Sequence, residues 1–89
     1  MLTPELSNDS LRFLKKRDPK QFRQIFQAIV SLCETPRPTD SIAMGDGIHF
    51  RQSVGEFRVI YKFDSEKLFV STIGHRNDGA AYALFTQRD

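Results

Sequence analysis

Three short segments in the second half of the chain alternate apolar and polar residues with the two-residue period of a β-strand. In the middle segment, one set of alternate positions is entirely apolar: Phe57, Val59, Tyr61 and Phe63. The other set carries charge apart from one isoleucine: Glu56, Arg58, Ile60 and Lys62. Turn-forming residues at 53–55 and 64–66 separate the segments. The pattern predicts an antiparallel meander with an apolar face, which includes Tyr61, and an open charged face.

The first half of the chain shows helical spacing instead. Ser7, Asn8 or Asp9 can cap a first helix that ends near Arg17, because Pro19 disfavours the helical conformation at the residue before it. Asp18 is the expected cap of a second helix that ends at residues 35–36, with Pro19 in its first turn. Apolar residues at spacings of three and four predict that one face of this helix is buried: Phe22, Ile25, Phe26, Ile29 and Leu32 or Cys33.

Neither a helical hairpin nor a small sheet can bury its apolar side alone, so we expect each to cover the other. The predicted fold is therefore α+β, with an N-terminal helical hairpin on one face of a small antiparallel sheet of three to four strands. Residues 1–6 can form at most a brief edge strand. Residues 35–47 are predicted to be a loop anchored in the core by Met44, and residues 80–88 a short closing helix or an irregular tail.

Length and composition exclude several classes of protein, among them disulfide-bonded and membrane-spanning ones. With 89 residues, the chain is expected to be a single domain spanning residues 1–89. One cysteine, Cys33, excludes an internal disulfide and a cysteine-rich metal site, and no cluster of Asp, Glu and His suggests a metal or another cofactor. No apolar run approaches the ~18 residues of a membrane span and no leader pattern begins the chain, so a cytoplasmic protein is predicted.

Basic side chains form two groups in the sequence, although the net charge is only +2. One group follows the predicted helices: Arg12, Lys15, Lys16, Arg17, Lys20 and Arg23. The other group, around the predicted sheet, has His49 and Arg51 on a strand at 48–53, Arg58 on the next strand, and His75, Arg76 and Tyr82 beyond the last. These residues would form a basic cup with a phenol at its rim.

Such a cup suits a phosphodiester. Arginines can hold a phosphate and stabilise the charge that grows in the transition state, a histidine can move a proton, and a tyrosine can stack on a base. RNA supplies its own nucleophile in the 2′-hydroxyl, so cleavage would need no metal. The alternative for Arg58 alone is a solvated strand residue or an ion-pair partner of Glu56 or Asp78.

The motifs G-E-F-R-V-I-Y at 55–61 and I-G-H-R-N-D-G-A-A-Y at 73–82 resemble the RelE/ParE superfamily of toxin–antitoxin toxins. The resemblance extends back to about Ser7, although the first strand of the family is nearly absent from the sequence. It implies a toxin that cleaves messenger RNA in the ribosomal A site. The alternatives are a ParE-like inhibitor of DNA gyrase without nuclease activity and an inactive relative that only binds.

The resemblance also assigns roles to residues. Arg58 and Arg76 match the two arginines that act on the scissile phosphate, and Tyr82 matches the tyrosine that orients the cut nucleotide. His49 and Arg51 stand where RelE has two lysines, which makes His49 a candidate proton acceptor. Contacts to RNA are expected from six residues: Arg51, His75, Lys15, Lys16, Lys20 and Arg23. The helical lysines and arginine can instead contact a cognate antitoxin, and the toxin–antitoxin complex is expected to bind operator DNA.

Overall fold

The structure is a computed structural model that describes residues 1–76, so the predicted closing segment at 80–88 and Tyr82 lie outside the described residues. Within residues 1–76 the chain forms two helices and five strands. The helices are α1 (Asn8–Lys15) and α2 (Pro19–Glu34). The strands are β1 (Thr3–Leu6), β2 (Ile42–Ala43), β3 (Phe50–Val54), β4 (Phe57–Phe63) and β5 (Lys67–His75). No helix in this part of the chain is long and apolar enough to cross a membrane.

The strands form one mixed sheet in the order β1-β5-β4-β3-β2. Neighbours from β2 to β5 are antiparallel, as predicted for the meander, whereas β1 runs parallel to β5. The prediction of an antiparallel sheet of three to four strands was therefore wrong in the number of strands and in the direction of β1, which is the brief edge strand left open for residues 1–6. The two additional strands have four and two residues and occupy the edges of the sheet. Segments this short carry too few residues to show an alternating pattern, and an edge position also accommodates Pro4 in β1.

Side chains cap both helices at the residues that the sequence indicated. Ser7 Oγ accepts a hydrogen bond from the Ser10 N–H at 3.1 Å, and Asp18 Oδ1 accepts one from the Gln21 N–H at 2.7 Å. Pro19 occupies the first turn of α2, where its missing N–H breaks no helical bond. These caps fix where each helix begins, and α1 ends at Lys15, slightly before the predicted end near Arg17.

One hydrophobic core joins the helices to the sheet. Its helical residues are Leu14, Ile25, Ile29, Leu32 and Cys33. Its sheet residues are Val54, Phe57, Val59, Tyr61, Leu68, Val70 and Ile73. Tyr61 and Cys33 are buried as predicted, and the phenol of Tyr61 donates to the Pro36 carbonyl at 2.6 Å, which satisfies its hydroxyl in the core. We call the face of the sheet that carries Phe57, Val59 and Tyr61 the core face.

The buried face of α2 is narrower than the apolar stripe predicted from its sequence. Phe22 is 39% exposed and Phe26 is 43% exposed, and their rings stack on each other with centroids 6.1 Å apart. Their predicted burial was wrong. Ile25 and Ile29 define the buried line of the helix, and Phe22 and Phe26, four residues apart, lie together beside that line. Each phenylalanine covers part of its partner instead of the core.

Candidate functional site

Arg58 lies on β4 between two core residues, Phe57 and Val59. Because successive side chains on a strand point to opposite sides, Arg58 projects from the face opposite the core. Arg51 on β3 pairs directly with Ile60, two residues from Arg58, and therefore shares this face. Arg51 and Arg58 are diagonal neighbours, which in an antiparallel pair lie roughly 7 to 8 Å apart. We call the face that carries Arg51, Arg58 and Ile60 the arginine face.

The arginine face is less open than the sequence predicted. Ile60 was assigned to an exposed, charged face, but it is 0% exposed. Arg51 and Arg58 are both half-buried. Arginine side chains can cover apolar surface with their methylene stems, and an intermediate exposure is compatible with that arrangement. Partial burial lowers the local dielectric constant around the guanidinium groups, so a phosphate held there would interact with them more strongly than in bulk water.

Arg76 follows β5 at the same end of the sheet as Arg58. Its backbone N–H donates to the Glu56 carbonyl at 2.7 Å, which extends the pairing of β4 and β5 beyond His75. If the alternation of β5 continues for one residue beyond His75, the side chain of Arg76 is expected on the arginine face. Gly74 lies directly opposite Arg58, so β5 presents no side chain at the position next to Arg58. The structure thus brings Arg51, Arg58 and Arg76 to one region of the sheet.

His49 precedes β3, in the hairpin loop that follows β2. Its Nδ1 lies 2.6 Å from Asp46 Oδ2, and its side chain is only 13% exposed. The N–H groups of His49 and Ile48 donate to the Asp46 carboxylate, and these bonds lower its pKa to about 2. Sequence reasoning missed Asp46. The signal was an aspartate between two glycines, three residues before the histidine, which is typical of a turn in which the side chain accepts from the following backbone.

The structure does not place His75 with these residues. It pairs across the sheet with Phe57 and lies on the core face, where its ring contacts those of Phe13 and Phe57 with centroids 5.6 and 5.4 Å away. Its Nε2 is 3.5 Å from the guanidinium of Arg17, which itself lies over Phe13. His75 covers the edge of the core at the end of β5, away from Arg58.

The other predicted RNA contacts also lie apart from the arginine face. Lys15 ends α1, Lys16 follows it, and Lys20 and Arg23 lie in the first turns of α2; all four are exposed. They form a second basic surface on the helices, which pack against the core face. Among residues 1–76, no group of three or more His, Cys, Asp and Glu side chains is arranged to hold a metal ion. Tyr82 is beyond the described residues.

No protein-family model matches the chain, and no curated protein matches it. Solved structures do match. A free double arginine-to-alanine mutant of the E. coli toxin RelE superposes with a TM-score of 0.79 at 19% identity, covering 98% of this chain and 96% of that one. The RelBE2 toxin–antitoxin complex of Mycobacterium tuberculosis gives 0.71 at 19% identity, covering 84% and 98%. The YoeB dimer of Staphylococcus aureus gives 0.66 at 14% identity, covering 80% and 92%.

Proposed function

We propose that this chain, which has the fold of the RelE toxins, is itself the toxin of a toxin–antitoxin module and a ribosome-dependent endoribonuclease that cleaves messenger RNA in the A site. The observation that carries the proposal is that Arg51 and Arg58 share one face of the sheet, with the backbone of Arg76 bonded to β4 beside them and His49 held by Asp46 in the loop that leads into β3. A gyrase inhibitor that acts by binding alone needs no such grouping.

In the proposed reaction these residues bind the phosphate and transfer a proton. Arg58 and Arg76 bind the non-bridging oxygens of the scissile phosphate and stabilise the charge that develops there. His49 accepts the proton of the 2′-hydroxyl as its oxygen bonds to phosphorus. The bond from phosphorus to the 5′-oxygen then breaks, and that oxygen takes up a proton, which leaves a 2′,3′-cyclic phosphate and a 5′-hydroxyl. By resemblance, Tyr82 orients the nucleotide.

The proposal includes a cognate antitoxin as partner. Several of the similar structures are complexes of a RelE toxin with RelB, including those of E. coli and Pyrococcus horikoshii. In this chain the exposed Phe22 and Phe26 lie on the same helix as Lys20 and Arg23. Apolar rings next to positive charge suit the acidic, amphipathic side of an antitoxin, and the same charges suit ribosomal RNA phosphates. As the family resemblance implies, we also propose that the complex of toxin and antitoxin binds operator DNA.

Primer extension on a defined messenger bound to purified ribosomes tests the proposed activity. Wild-type protein should produce a cut within the A-site codon, and Arg58→Ala should reduce the cleavage rate about a hundredfold or more, because a preorganised charge is lost from the transition state. Lys67→Ala is the matched control: it removes a positive charge from the far end of β5, where Lys67 pairs with Glu5 at 3.0 Å. It should cleave as the wild type does.

Two outcomes would contradict the proposal. Wild-type protein that leaves the messenger intact but inhibits supercoiling by gyrase in a parallel assay would identify a binding poison. Full cleavage by Arg58→Ala would remove this arginine from the site.

A further inference from the structure

We infer that Asp46 is a positioning residue that fixes the tautomer and the orientation of His49, so that the two residues act as a carboxylate–histidine pair in RNA cleavage. This inference rests on the proposed function, because it assigns a base to that reaction. The resemblance to the RelE/ParE superfamily assigned no role to Asp46, so the inference adds a residue to the proposed site.

The hairpin loop holds the Asp46 carboxylate at both oxygens. Oδ1 accepts from the Ile48 N–H at 2.8 Å and from the His49 N–H at 2.9 Å. Oδ2 is 2.6 Å from Nδ1 of the His49 ring. Gly47 has a φ of 72°, a left-handed conformation that favours glycine and lets the chain turn back within this short loop. The loop therefore fixes the carboxylate, and the carboxylate fixes the ring.

This geometry determines which nitrogen of His49 carries hydrogen. An ionised carboxylate only accepts hydrogen bonds, and the low pKa of Asp46 keeps it ionised at working pH. Nδ1 must then be the donor, which makes Nε2 the basic nitrogen of the neutral ring. When Nε2 takes a proton, the carboxylate stabilises the imidazolium that forms. The Ser-His-Asp triad uses its aspartate in the same way.

Asp46→Asn tests the inference because it keeps an oxygen for the two backbone N–H groups and replaces the other oxygen with an amide donor. That donor should force Nδ1 to accept, which moves the hydrogen to Nε2 and removes the basic nitrogen from the reacting side. We expect the single-turnover cleavage rate to fall about a hundredfold, the scale of general-base catalysis.

Asp64→Asn is the matched control. Asp64 Oδ1 also accepts from two following backbone N–H groups, those of Glu66 and Lys67, each at 2.8 Å, in the turn between β4 and β5. Among residues 1–76, no histidine is hydrogen-bonded to Asp64. Its substitution should leave the cleavage rate unchanged, which separates the effect on His49 from a general effect of losing a turn carboxylate.

Nitrogen NMR of the His49 ring reads the tautomer directly and does not depend on activity. The wild type should show a protonated Nδ1, and Asp46→Asn a protonated Nε2. A wild type with hydrogen on Nε2 would overturn the inference, even if the protein has no nuclease activity. The same spectra report whether Asp46→Asn is folded. If that variant is unfolded, Asp46→Ser takes its place, because serine keeps a hydroxyl acceptor and lacks the carboxylate.

A double-mutant cycle completes the test. If Asp46 acts through His49, adding Asp46→Asn to His49→Ala should cause no further loss of cleavage. A full additional loss would show that Asp46 has an independent role and would contradict the inference. The inference would also be contradicted if Asp46→Asn cleaved RNA at the same rate as an active wild-type protein. That result would leave the proposed nuclease function intact.

Discussion

The two faces of the sheet are formed by alternate residues of the same strands, yet burial serves different purposes on them. On the core face, Phe57, Val59 and Tyr61 are 0% exposed and meet the apolar sides of both helices. On the arginine face, Ile60 is equally buried, but Arg51 and Arg58 flank it. The buried residues of the core face pack the sheet against the helices. On the arginine face, the buried Ile60 lies next to two positive side chains that are themselves partly shielded from solvent.

Under the proposed function, the residues that stabilise the fold and the residues that act on RNA are therefore separated by one position along β4. Substitutions on the core face should lower the free energy of unfolding and leave the cleavage rate of the folded molecules unchanged. Substitutions of the charged residues on the arginine face should do the reverse. The predictions below test this separation in order of expected effect.

Ile29→Ala should have the largest effect on stability. Ile29 is 0% exposed in the centre of α2, and truncating it leaves a cavity that costs about 2 to 5 kcal/mol of the free energy of unfolding. Urea denaturation followed by circular dichroism measures the loss. A change below about 1 kcal/mol would mean that α2 is not packed against the core face as the structure has it.

Tyr61→Phe should have a smaller effect on the same face. The substitution removes the hydroxyl that donates to the Pro36 carbonyl at 2.6 Å and leaves the ring in the core. A typical hydrogen bond contributes about 0.5 to 1.5 kcal/mol, so we expect a loss in that range. Urea denaturation measures it, and an unchanged midpoint would show that the hydrogen bond contributes nothing to the fold.

Phe26→Ala should cost about 1 kcal/mol, since a ring that is 43% exposed gives up only part of the transfer free energy of a buried phenylalanine. The neighbouring Ile25→Ala, at 0% exposed, is the control and should cost about 2 to 5 kcal/mol. Equal costs for the two variants in urea would show that the outer side of α2 belongs to the core after all.

Asp46 should give the smallest effect, and the change of stability with pH that it causes should be confined to acid pH. Its pKa is lowered from 3.8 to about 2 in the folded state, so the folded carboxylate contributes stability above about pH 4. That contribution is lost as the pH falls from about 4 to 2, because the unfolded chain takes up the proton first. The stability of Asp46→Asn, measured by denaturation between pH 5 and 2, should fall less over this interval than that of the wild type.

Local chemistry made much of the fold predictable from the sequence. Ser7 and Asp18 have the side chains that cap helices, and the alternation through Phe57, Val59 and Tyr61 identified the core face. The two edge strands were harder to predict. Residues 1–6 were left open as a brief edge strand, because the partner of β1 lies more than sixty residues away in β5, and β2 was missed because it has only two residues. The exposure of Phe22 and Phe26 was also missed, because periodicity shows an apolar stripe but not how much of it a neighbour covers.

The candidate site was predictable to a similar extent. Arg51 and Arg58 lie on one face, as the two-residue period requires, and the backbone of Arg76 remains in register with β4. The burial of Ile60 depends on three-dimensional packing that a strand pattern does not contain. Asp46 depends on the conformation of a glycine-flanked loop, and His75 was misleading because it is next to Arg76 in sequence but faces the opposite side of the sheet.

Two adjacent residues on β4, Arg58 and Val59, allow the roles of the two faces to be compared in one experiment. Single-turnover cleavage on programmed ribosomes and urea denaturation should both be measured for Arg58→Ala and Val59→Ala. We predict that Arg58→Ala loses about a hundredfold in rate with less than about 1 kcal/mol of stability, whereas Val59→Ala loses about 1.5 to 3 kcal/mol of stability and cleaves normally per folded molecule. If Arg58→Ala cleaves at the wild-type rate, or loses cleavage only in proportion to unfolding, the arginine face is not the active site.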